Sequence, residues 1–425
     1  MIRYLYVYLS FLLLILVSYT DVNNLPSIFS RIAFLAALIL PFTFYKKNKE
    51  LFFVAFIVFV TISSVGYAIS YMPVTGPIIL TVLLISTILF SSSAKVSRVN
   101  SYALALLIFL TFIINIINSA DVKNITYSML SIVLVTRSLS SSHNTKINNY
   151  LSFSFALISL VLSIEFLLVG KDFVNEISVG GIDYIRKGWN DPNYFGCILG
   201  IGVLVSIIEL ILNKNLSFRL KTYYYSTIIL SIITIISVAS RGALLAILLP
   251  VLLIIFRSSI KAKYKLITLL FVAFFVGVLY SSHLLDLVIA RFMNDAGDAG
   301  ERTLIWTKKF SAFLEEASPL SWLFGVGYDR GMNLGYSHPQ GFHNDFLAFF
   351  IDYGIVGFIL FFCFLFYPLL QAKQNRLYVW AIIVYVMLVS LTLEPFSSGS
   401  LIYYYFMTYA LLIGRGNYYH KNNEY

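Results

Sequence analysis

The sequence predicts an all-α polytopic integral membrane protein with 12–14 transmembrane helices and one long extracytoplasmic loop. Hydrophobic residues make up 59% of the 425-residue chain and charged residues 12%, whereas soluble domains carry about 25% charged residues. Many apolar runs reach the length of about 20 residues that a membrane helix needs. The longest polar stretch is the mixed-charge segment 281–342, after which an apolar run resumes at once. A helical scaffold that holds a polar loop against a bilayer follows from this pattern.

The apolar runs define the candidate spans in chain order. Arg3 precedes the first span and no small-residue cleavage site follows it, so we expect this span to be retained. The long loop separates the last three spans from the others. The candidate spans are 4–20, 28–45, 51–71, 74–91, 100–118, 124–139, 150–169, 195–213, 222–239, 242–257, 265–280, 344–367, 377–393 and 399–414.

These spans divide the chain into four predicted regions. Residues 1–169 form N-terminal transmembrane helices, and 170–280 form further helices with an outer loop and the element around Arg241. Residues 281–342 form the extracytoplasmic loop, and 343–425 form the C-terminal transmembrane helices. Within the loop, the apolar spacing of 301–316 predicts an amphipathic helix at the membrane interface.

The distribution of positive charge predicts the orientation in the membrane. With the N-terminus in the cytoplasm, most of the 30 lysine and arginine residues lie in inner loops, as the positive-inside rule requires. The segments 170–194 and 281–342 then lie outside the cytoplasm. The net charge of +10 is therefore a topology signal, and we expect no nucleic-acid partner.

Two arginines are candidate anion-binding residues. Arg241 lies between two apolar spans on the predicted outer side, where a cation is costly unless it reaches the interface or meets an anion. Arg302 lies at the start of the amphipathic helix. A guanidinium fork suits phosphate, and a helix N-terminus adds favourable polarity. The alternative for Arg241 is an interfacial arginine beside a turn, and the alternative for Arg302 is an exposed helix charge.

The segment at the end of the long loop offers a candidate base. His343 is suited to proton transfer near neutral pH, and Asn344 and Asp345 follow it directly. Asp345 is a second candidate base, or it complements the helix dipole as a first-turn acid. A structural histidine at the membrane interface is the alternative for His343. Gly354 and Gly357, further along this helix, predict close packing between helices.

Further candidate substrate contacts lie in the two outer segments. Their cations could bind a second anionic group, and their aromatic rings could stack on a sugar or anchor the interface. The residues concerned are Arg186, Lys187, Trp189, Tyr194, Tyr328 and Arg330. Asn344 and Asp345, beside His343, are also candidate substrate contacts.

Glu165 and Glu209 lie within apolar spans, where acids suggest a proton relay or a coupling-ion site. A secondary transporter or flippase therefore stays an alternative to an enzyme. Cys197 and Cys363 both lie in apolar runs, which argues against a disulfide framework or a zinc site. No Walker-type loop, haem motif or metal-ligand cluster is present in the sequence, so no cofactor and no metal site are expected.

The chain resembles the O-antigen ligase/polymerase family of membrane glycosyltransferases. The run Arg241-Gly242-Ala243-Leu244-Leu245 is similar to the family's arginine-x3-leucine element. His343-Asn344, followed after nine residues by Gly354 and after two more by Gly357, is similar to the family's ligase pattern. The long outer loop also precedes this histidine as expected. The resemblance covers about residues 180–370.

This resemblance implies a GT-C-like fold and a glycan donor carried on undecaprenyl pyrophosphate. Arg241 and Arg302 would bind the pyrophosphate, and His343 would orient or deprotonate the acceptor hydroxyl. The reaction would invert the anomeric centre without a metal, at the periplasmic face of the bacterial inner membrane. The implied partners are the undecaprenyl-pyrophosphate-linked oligosaccharide, membrane lipid and, as a candidate, a chain-length regulator protein.

The family contains polymerases and ligases, which differ in their acceptor. A polymerase extends a lipid-linked repeat unit and needs room for two lipid pyrophosphates, and Arg186, Lys187 or Arg330 could serve the second. An O-antigen ligase transfers the glycan to lipid A-core. The Asp191-Pro192-Asn193-Tyr194 turn favours a polymerase, whereas the histidine pattern is that of ligases. We expect a polymerase, with the ligase as the alternative.

Overall fold

The computed structural model describes residues 145–169, 174–179, 182–187, 192–238, 240–257, 296–337, 340–396 and 401–415, and short pieces at 262–263, 265–266 and 280. The six predicted spans from 4–20 to 124–139 lie outside the described residues, and nearly all of 265–280 does too. The predicted total of 12–14 transmembrane helices therefore stays a prediction.

The described part of the chain is helical apart from one β-hairpin, which confirms the predicted helical membrane class. Three of its helices, Asn193–Leu212, Phe218–Ser237 and Asp345–Gln371, are long and apolar enough to cross a membrane. Seven of the described helices coincide with predicted spans to within five residues, and three more lie in the predicted polar loop. They are α1 (Thr145–Val169), α2 (Pro192–Leu212), α3 (Phe218–Ser237), α4 (Arg241–Arg257), α5 (Ala296–Glu316), α6 (Pro319–Phe324), α7 (Tyr328–Asn333), α8 (Asp345–Gln371), α9 (Arg376–Thr392) and α10 (Leu401–Gly414).

A two-stranded antiparallel hairpin occupies the predicted outer segment between α1 and α2. Strand β1 (Val174–Val179) pairs with β2 (Ile182–Lys187), in a register from Val174 opposite Lys187 to Val179 opposite Ile182. The sequence analysis did not predict these strands. The signal was nevertheless present, because Gly180-Gly181 between two short alternating runs favours a two-residue hairpin turn.

The described helices belong to two compact units. The first contains Arg302–Gln374 and Ser390–Tyr425, so far as they are described, with the beginning of α1. In it, α8 contacts α6, α7 and α10. Its core lies between the polar loop and the first turns of α8, and the core residues are Phe313, Val326, Leu334, Phe342, Ala348 and Ile351.

The second unit contains 155–301 and 375–389, so far as they are described. Here α2 packs against α3 and α4. Hydroxyl groups form hydrogen bonds between helices: Ser163 Oγ of α1 donates to Ser231 Oγ of α3 at 3.2 Å. The phenol of Tyr385 donates a hydrogen bond to the carbonyl oxygen of Cys197, and Gly200 leaves room for this phenol. Interhelical polar contacts of this kind stabilise helices that have no hydrophobic driving force between them in lipid.

Helix α8 is broken at Gly354, which has φ 67° and ψ −167°. The break frees two carbonyl groups, and the loop before α7 supplies their donors. The Val326 N–H donates to the Ile351 carbonyl oxygen at 2.9 Å, and the Gly327 N–H donates to that of Asp352 at 3.0 Å. A Cβ on Gly354 would meet the backbone of Leu323. Close packing at Gly354 is therefore confirmed, but its left-handed backbone is a second requirement that the spacing did not reveal.

The amphipathic helix predicted over 301–316 is confirmed as α5, which begins earlier, at Ala296. Phe313 is buried, whereas Leu304 and Leu314 on the other side are 64% and 50% exposed. Three glycines that follow α5 in the chain, Gly325, Gly327 and Gly335, take positive φ values that favour glycine. The interfacial position of α5 stays a prediction.

Candidate functional site

In the first unit, helix α5 is anchored to the segment that carries His343. The indole Nε1–H of Trp306 donates a 2.7 Å hydrogen bond to the carbonyl oxygen of Phe342. Arg302, which is half-buried, lies one turn before Trp306 on the same helix face. The structure therefore brings two of the predicted catalytic residues, Arg302 and His343, to the same part of this unit.

Lys309 continues this face of α5 and is fully buried. Its Nζ donates to the carbonyl oxygens of Gly331 at 2.7 Å and Met332 at 3.0 Å. The ammonium also lies 4.3 Å from the centre of the Phe342 ring. Burial lowers the pKa of Lys309 to about 8, against the opposing effect of the Asp352 and Glu394 carboxylates. A buried lysine with two nearby carboxylates thus underlies the loop.

His343 has an unusual backbone at the end of the polar loop. Its φ is 51°, in the left-handed region that residues other than glycine rarely adopt. Its backbone N–H donates to the carboxylate of Glu394. The next residue, Asn344, caps α8, because its Oδ1 accepts from the Leu347 N–H at 3.1 Å. This cap explains Asn344, and its predicted contact with substrate stays a prediction.

Glu394 lies in the turn between α9 and α10. Burial raises the pKa of its carboxyl group. The hydrogen bond from the His343 backbone, the Lys309 ammonium, and the backbones of Phe342 and Asn344 act in the opposite direction. One carboxylate thus interacts with three consecutive backbone N–H groups.

Asp345, the first residue of α8, contacts the turn between α9 and α10. Its carboxylate is fully buried. It accepts hydrogen bonds from Ser390 Oγ at 2.9 Å and from the Phe396 N–H at 3.2 Å. These bonds hold the turn between α9 and α10 against the start of α8. The predicted roles of Asp345 as a second base and as a substrate contact stay predictions.

The two other predicted contacts in the long loop lie on α7. Tyr328 is its first residue. Arg330 forms an exposed ion pair with Glu316, with a separation of 3.0 Å. Exposed pairs of this kind contribute little to stability, so Arg330 can exchange Glu316 for another anion at small cost.

In the second unit, Arg241 is the first residue of α4 and is half-buried. The preceding Ser240 is buried, and its Oγ accepts from the Ala243 N–H and donates to Asn193 Oδ1, both at 3.4 Å. The N-termini of α4 and α2 therefore meet beside Arg241 and Tyr194. Helix N-termini favour anions, which suits a phosphate-binding role for Arg241.

The remaining candidates of this unit are placed only in part. Arg186 and Lys187 are the last two residues of β2, opposite Asn175 and Val174. Trp189 lies outside the described residues. Because Arg241 belongs to the second unit and Arg302 and His343 to the first, their convergence on one pyrophosphate stays a prediction.

Lys309, Asp352 and Glu394 are not among the site residues that were predicted from the sequence. A signal was available for the two acids, since both lie in or beside apolar runs, as Glu165 and Glu209 do. Asp352 is fully buried, and its Oδ1 lies against the backbone of Gly331. Glu209, in α2, is also buried, and Glu165 lies in α1. Asp352 and Glu394 thus carry the same signal as Glu165 and Glu209, since acids within or beside apolar runs are candidate functional residues.

Comparison with known proteins gives a match in the central part of the chain. Residues 226–362 match a family model described as O-antigen ligase. The match begins in α3, ends in α8 and includes Arg241, Arg302 and His343. A search of curated proteins found no match.

Proposed function

We propose that this chain is a surface-polysaccharide polymerase. Its residues 226–362 assign it to the O-antigen ligase/polymerase family of glycosyltransferase-like membrane enzymes. It transfers a glycan from undecaprenyl pyrophosphate to a lipid-linked repeat unit. The reaction takes place on the periplasmic face of the bacterial inner membrane and needs no metal ion.

The observation that supports this proposal is the hydrogen bond from Trp306 to the carbonyl oxygen of Phe342. It joins the helix of Arg302 to the residue before His343. A guanidinium group and an imidazole are therefore presented together at the polar loop. One suits a pyrophosphate and the other a hydroxyl proton.

In the proposed reaction, the acceptor hydroxyl oxygen attacks the anomeric carbon of the donor glycan. A new C–O bond forms as the bond from that carbon to the pyrophosphate oxygen breaks. The electron pair of the broken bond leaves with undecaprenyl pyrophosphate, and the hydroxyl proton passes to His343. Attack from the side opposite the leaving group inverts the anomeric centre.

Arg302 and Arg241 stabilise the charge that develops on the leaving pyrophosphate. Preorganised cations of this kind are among the strongest contributions to catalysis. Pyrophosphate is a good leaving group, which is why the arginines suffice without a metal. The helix N-termini that meet beside Arg241 add favourable polarity to its guanidinium group for an anion.

The acceptor distinguishes two candidates. A polymerase binds a second lipid pyrophosphate, for which Arg186, Lys187 and Arg330 are the proposed contacts. Arg330 supports this role because its ion pair with Glu316 is exposed and exchangeable. The O-antigen ligase description of the matching family favours the other candidate, transfer to lipid A-core.

The proposal is tested with the purified full chain and undecaprenyl-pyrophosphate repeat units as the only glycan. A ladder of lengthened lipid-linked products supports the polymerase, because no other acceptor is present. Transfer that occurs only when lipid A-core is added refutes the polymerase and supports the ligase. Failure of both reactions with authentic substrate overturns the proposed enzymatic function and favours a transporter that uses an acid such as Glu209.

Two variants of one helix test the role of Arg241. Arg241→Ala should lower the rate of transfer at least a hundredfold at unchanged membrane abundance. Arg257→Ala removes the same charge from the other, exposed end of α4 and should retain wild-type activity. Wild-type activity in Arg241→Ala would refute the assigned role.

A further inference from the structure

We infer that Glu394 is a positioning residue for His343, holding the histidine through the backbone of the segment 342–344. The catalytic meaning of this contact rests on the proposed transfer reaction. The contact itself is a property of the folded chain, so it can be tested without substrate.

The geometry around Glu394 supports this inference. The His343 N–H donates to Glu394 Oε1, although 51 residues separate the two in the chain. The backbones of Phe342 and Asn344 also interact with the carboxylate. A Cβ on Gly341 would lie 3.4 Å from Oε1, so the carboxylate also adjoins the preceding residue. Glu394 thus lies against four consecutive residues, of which His343 is the third.

The backbone of His343 needs such support. A φ of 51° is rare for a residue with a side chain, and it persists only where the surroundings over-determine it. The segment also joins the polar loop to the start of α8, and Asn344 must be placed to cap that helix. A carboxylate that accepts hydrogen bonds from several backbone N–H groups holds such a segment more strongly than neutral acceptors would, because these hydrogen bonds are charge-assisted.

The charges around Glu394 complete the arrangement. Lys309 faces it from α5 and favours its ionised form, and Asp352 of α8 faces Lys309 in turn. Lys309 also lies over the Phe342 ring. The same segment is therefore held by α5 through Trp306 and Lys309 and by the α9–α10 turn through Glu394.

Glu394→Gln is the most direct variant. The glutamine keeps the size of the side chain and one acceptor oxygen, but its amide presents two N–H donors to backbone donors. The segment 342–344 then loses part of its support, and His343 becomes free to leave its left-handed conformation. Glu394→Asp retains the charge and withdraws the carboxylate by one methylene. We expect its effects to be smaller and of the same sign.

The test measures the reactivity of His343 in the purified full chain. Diethyl pyrocarbonate modifies accessible imidazoles, and mass spectrometry gives the rate for each histidine. In Glu394→Gln, His343 should react at least three times faster, while the rates of the other histidines change by less than half. Glu316→Gln, which removes an exposed carboxylate of α5, is the matched control and should leave the His343 rate unchanged.

The same samples are assayed for glycan transfer with the lipid-linked donor. Glu394→Gln should lower kcat at least tenfold and change the KM for the donor by less than twofold, because the arginines that bind the donor are untouched. A second outcome is that the wild-type chain shows no transfer while His343 is still modified faster in Glu394→Gln than in wild type. That outcome would support the contact and refute only the proposed function.

An unchanged His343 rate in folded Glu394→Gln overturns the inference, and so does an equal increase at all histidines, which indicates general loosening. If Glu394→Gln does not accumulate in the membrane, Glu394→Asp decides by the same criterion. Thermal unfolding of each variant shows which preparations are folded.

Discussion

The indole of Trp306 donates a hydrogen bond of 2.7 Å to the carbonyl oxygen of Phe342, 36 residues further along the chain. This contact joins the helix of Arg302 to the residue that precedes His343. The proposed cation and the proposed base are therefore held by one anchor. The two residues that form it contribute no reacting group themselves.

Trp306→Phe should weaken this anchor without changing any reacting group. Loss of the donor leaves the Phe342 carbonyl oxygen without this bond, at a cost of about 1–2 kcal/mol in unfolding free energy. We also expect kcat for transfer to fall, because Arg302 and His343 lose their fixed relation. Thermal unfolding and the transfer assay measure the two effects. Leu304→Ala, at an exposed position of the same helix, should match wild type in both.

Gly354→Ala should strongly destabilise the first unit. The residue takes φ 67°, and a Cβ would meet the Leu323 backbone, so the variant must lose either the break in α8 or the packing of α6. We expect a loss of about 2–4 kcal/mol. Unfolding in micelles titrated with sodium dodecyl sulfate measures it. Ile359→Ala, at an exposed position of the same helix, is the control, and equal stability of the two variants would contradict the interpretation.

Lys309 should make stability depend on pH in the alkaline range. Its pKa is about 8 in the folded protein and ordinarily 10.5, so between these values the unfolded chain binds a proton that the folded chain does not. The free energy of unfolding therefore rises with pH across this window, by up to about 3 kcal/mol. The Tm of wild type minus that of Lys309→Met should increase from pH 8 to 10.5.

The adjacent exposed lysine provides the control for this pH dependence. Lys308→Met should give a Tm that follows wild type across the window, because Lys308 lies on the exposed side of α5. Parallel curves for wild type and Lys309→Met would show that the Lys309 ammonium is not disfavoured by burial.

Asp345 and Ser390 should be energetically coupled. Asp345→Asn weakens the acceptor of the Ser390 hydroxyl and the Phe396 N–H, and we expect a loss of about 2–3 kcal/mol. Ser390→Ala should cost about 1 kcal/mol alone and less in the Asp345→Asn background. A double-mutant cycle on unfolding free energies measures this coupling. Ser318→Ala, which removes the cap of α6, should be additive with Asp345→Asn.

The sequence alone determined the helical class and the positions of the described spans. Helix α2 begins at Pro192, and α8 begins directly after its N-cap Asn344. Both residue types are helix-start signals that can be read from the sequence. The hydrophobic length that a bilayer requires is a local property of the chain. The chemical types of Arg241, Arg302 and His343 are local as well. These features could therefore be predicted without any knowledge of neighbours in space.

Tertiary structure alone decided which groups meet. The contact of Asp345 with Ser390, and the broken backbone at Gly354 beside Leu323, depend on segments that are distant in sequence. The sequence shows the charges of Asp345, Lys309 and Glu394 but not their partners. A buried charge is tolerated only beside a compensating group. That group, for Glu394, is a backbone 51 residues away, and only the folded chain brings the two together.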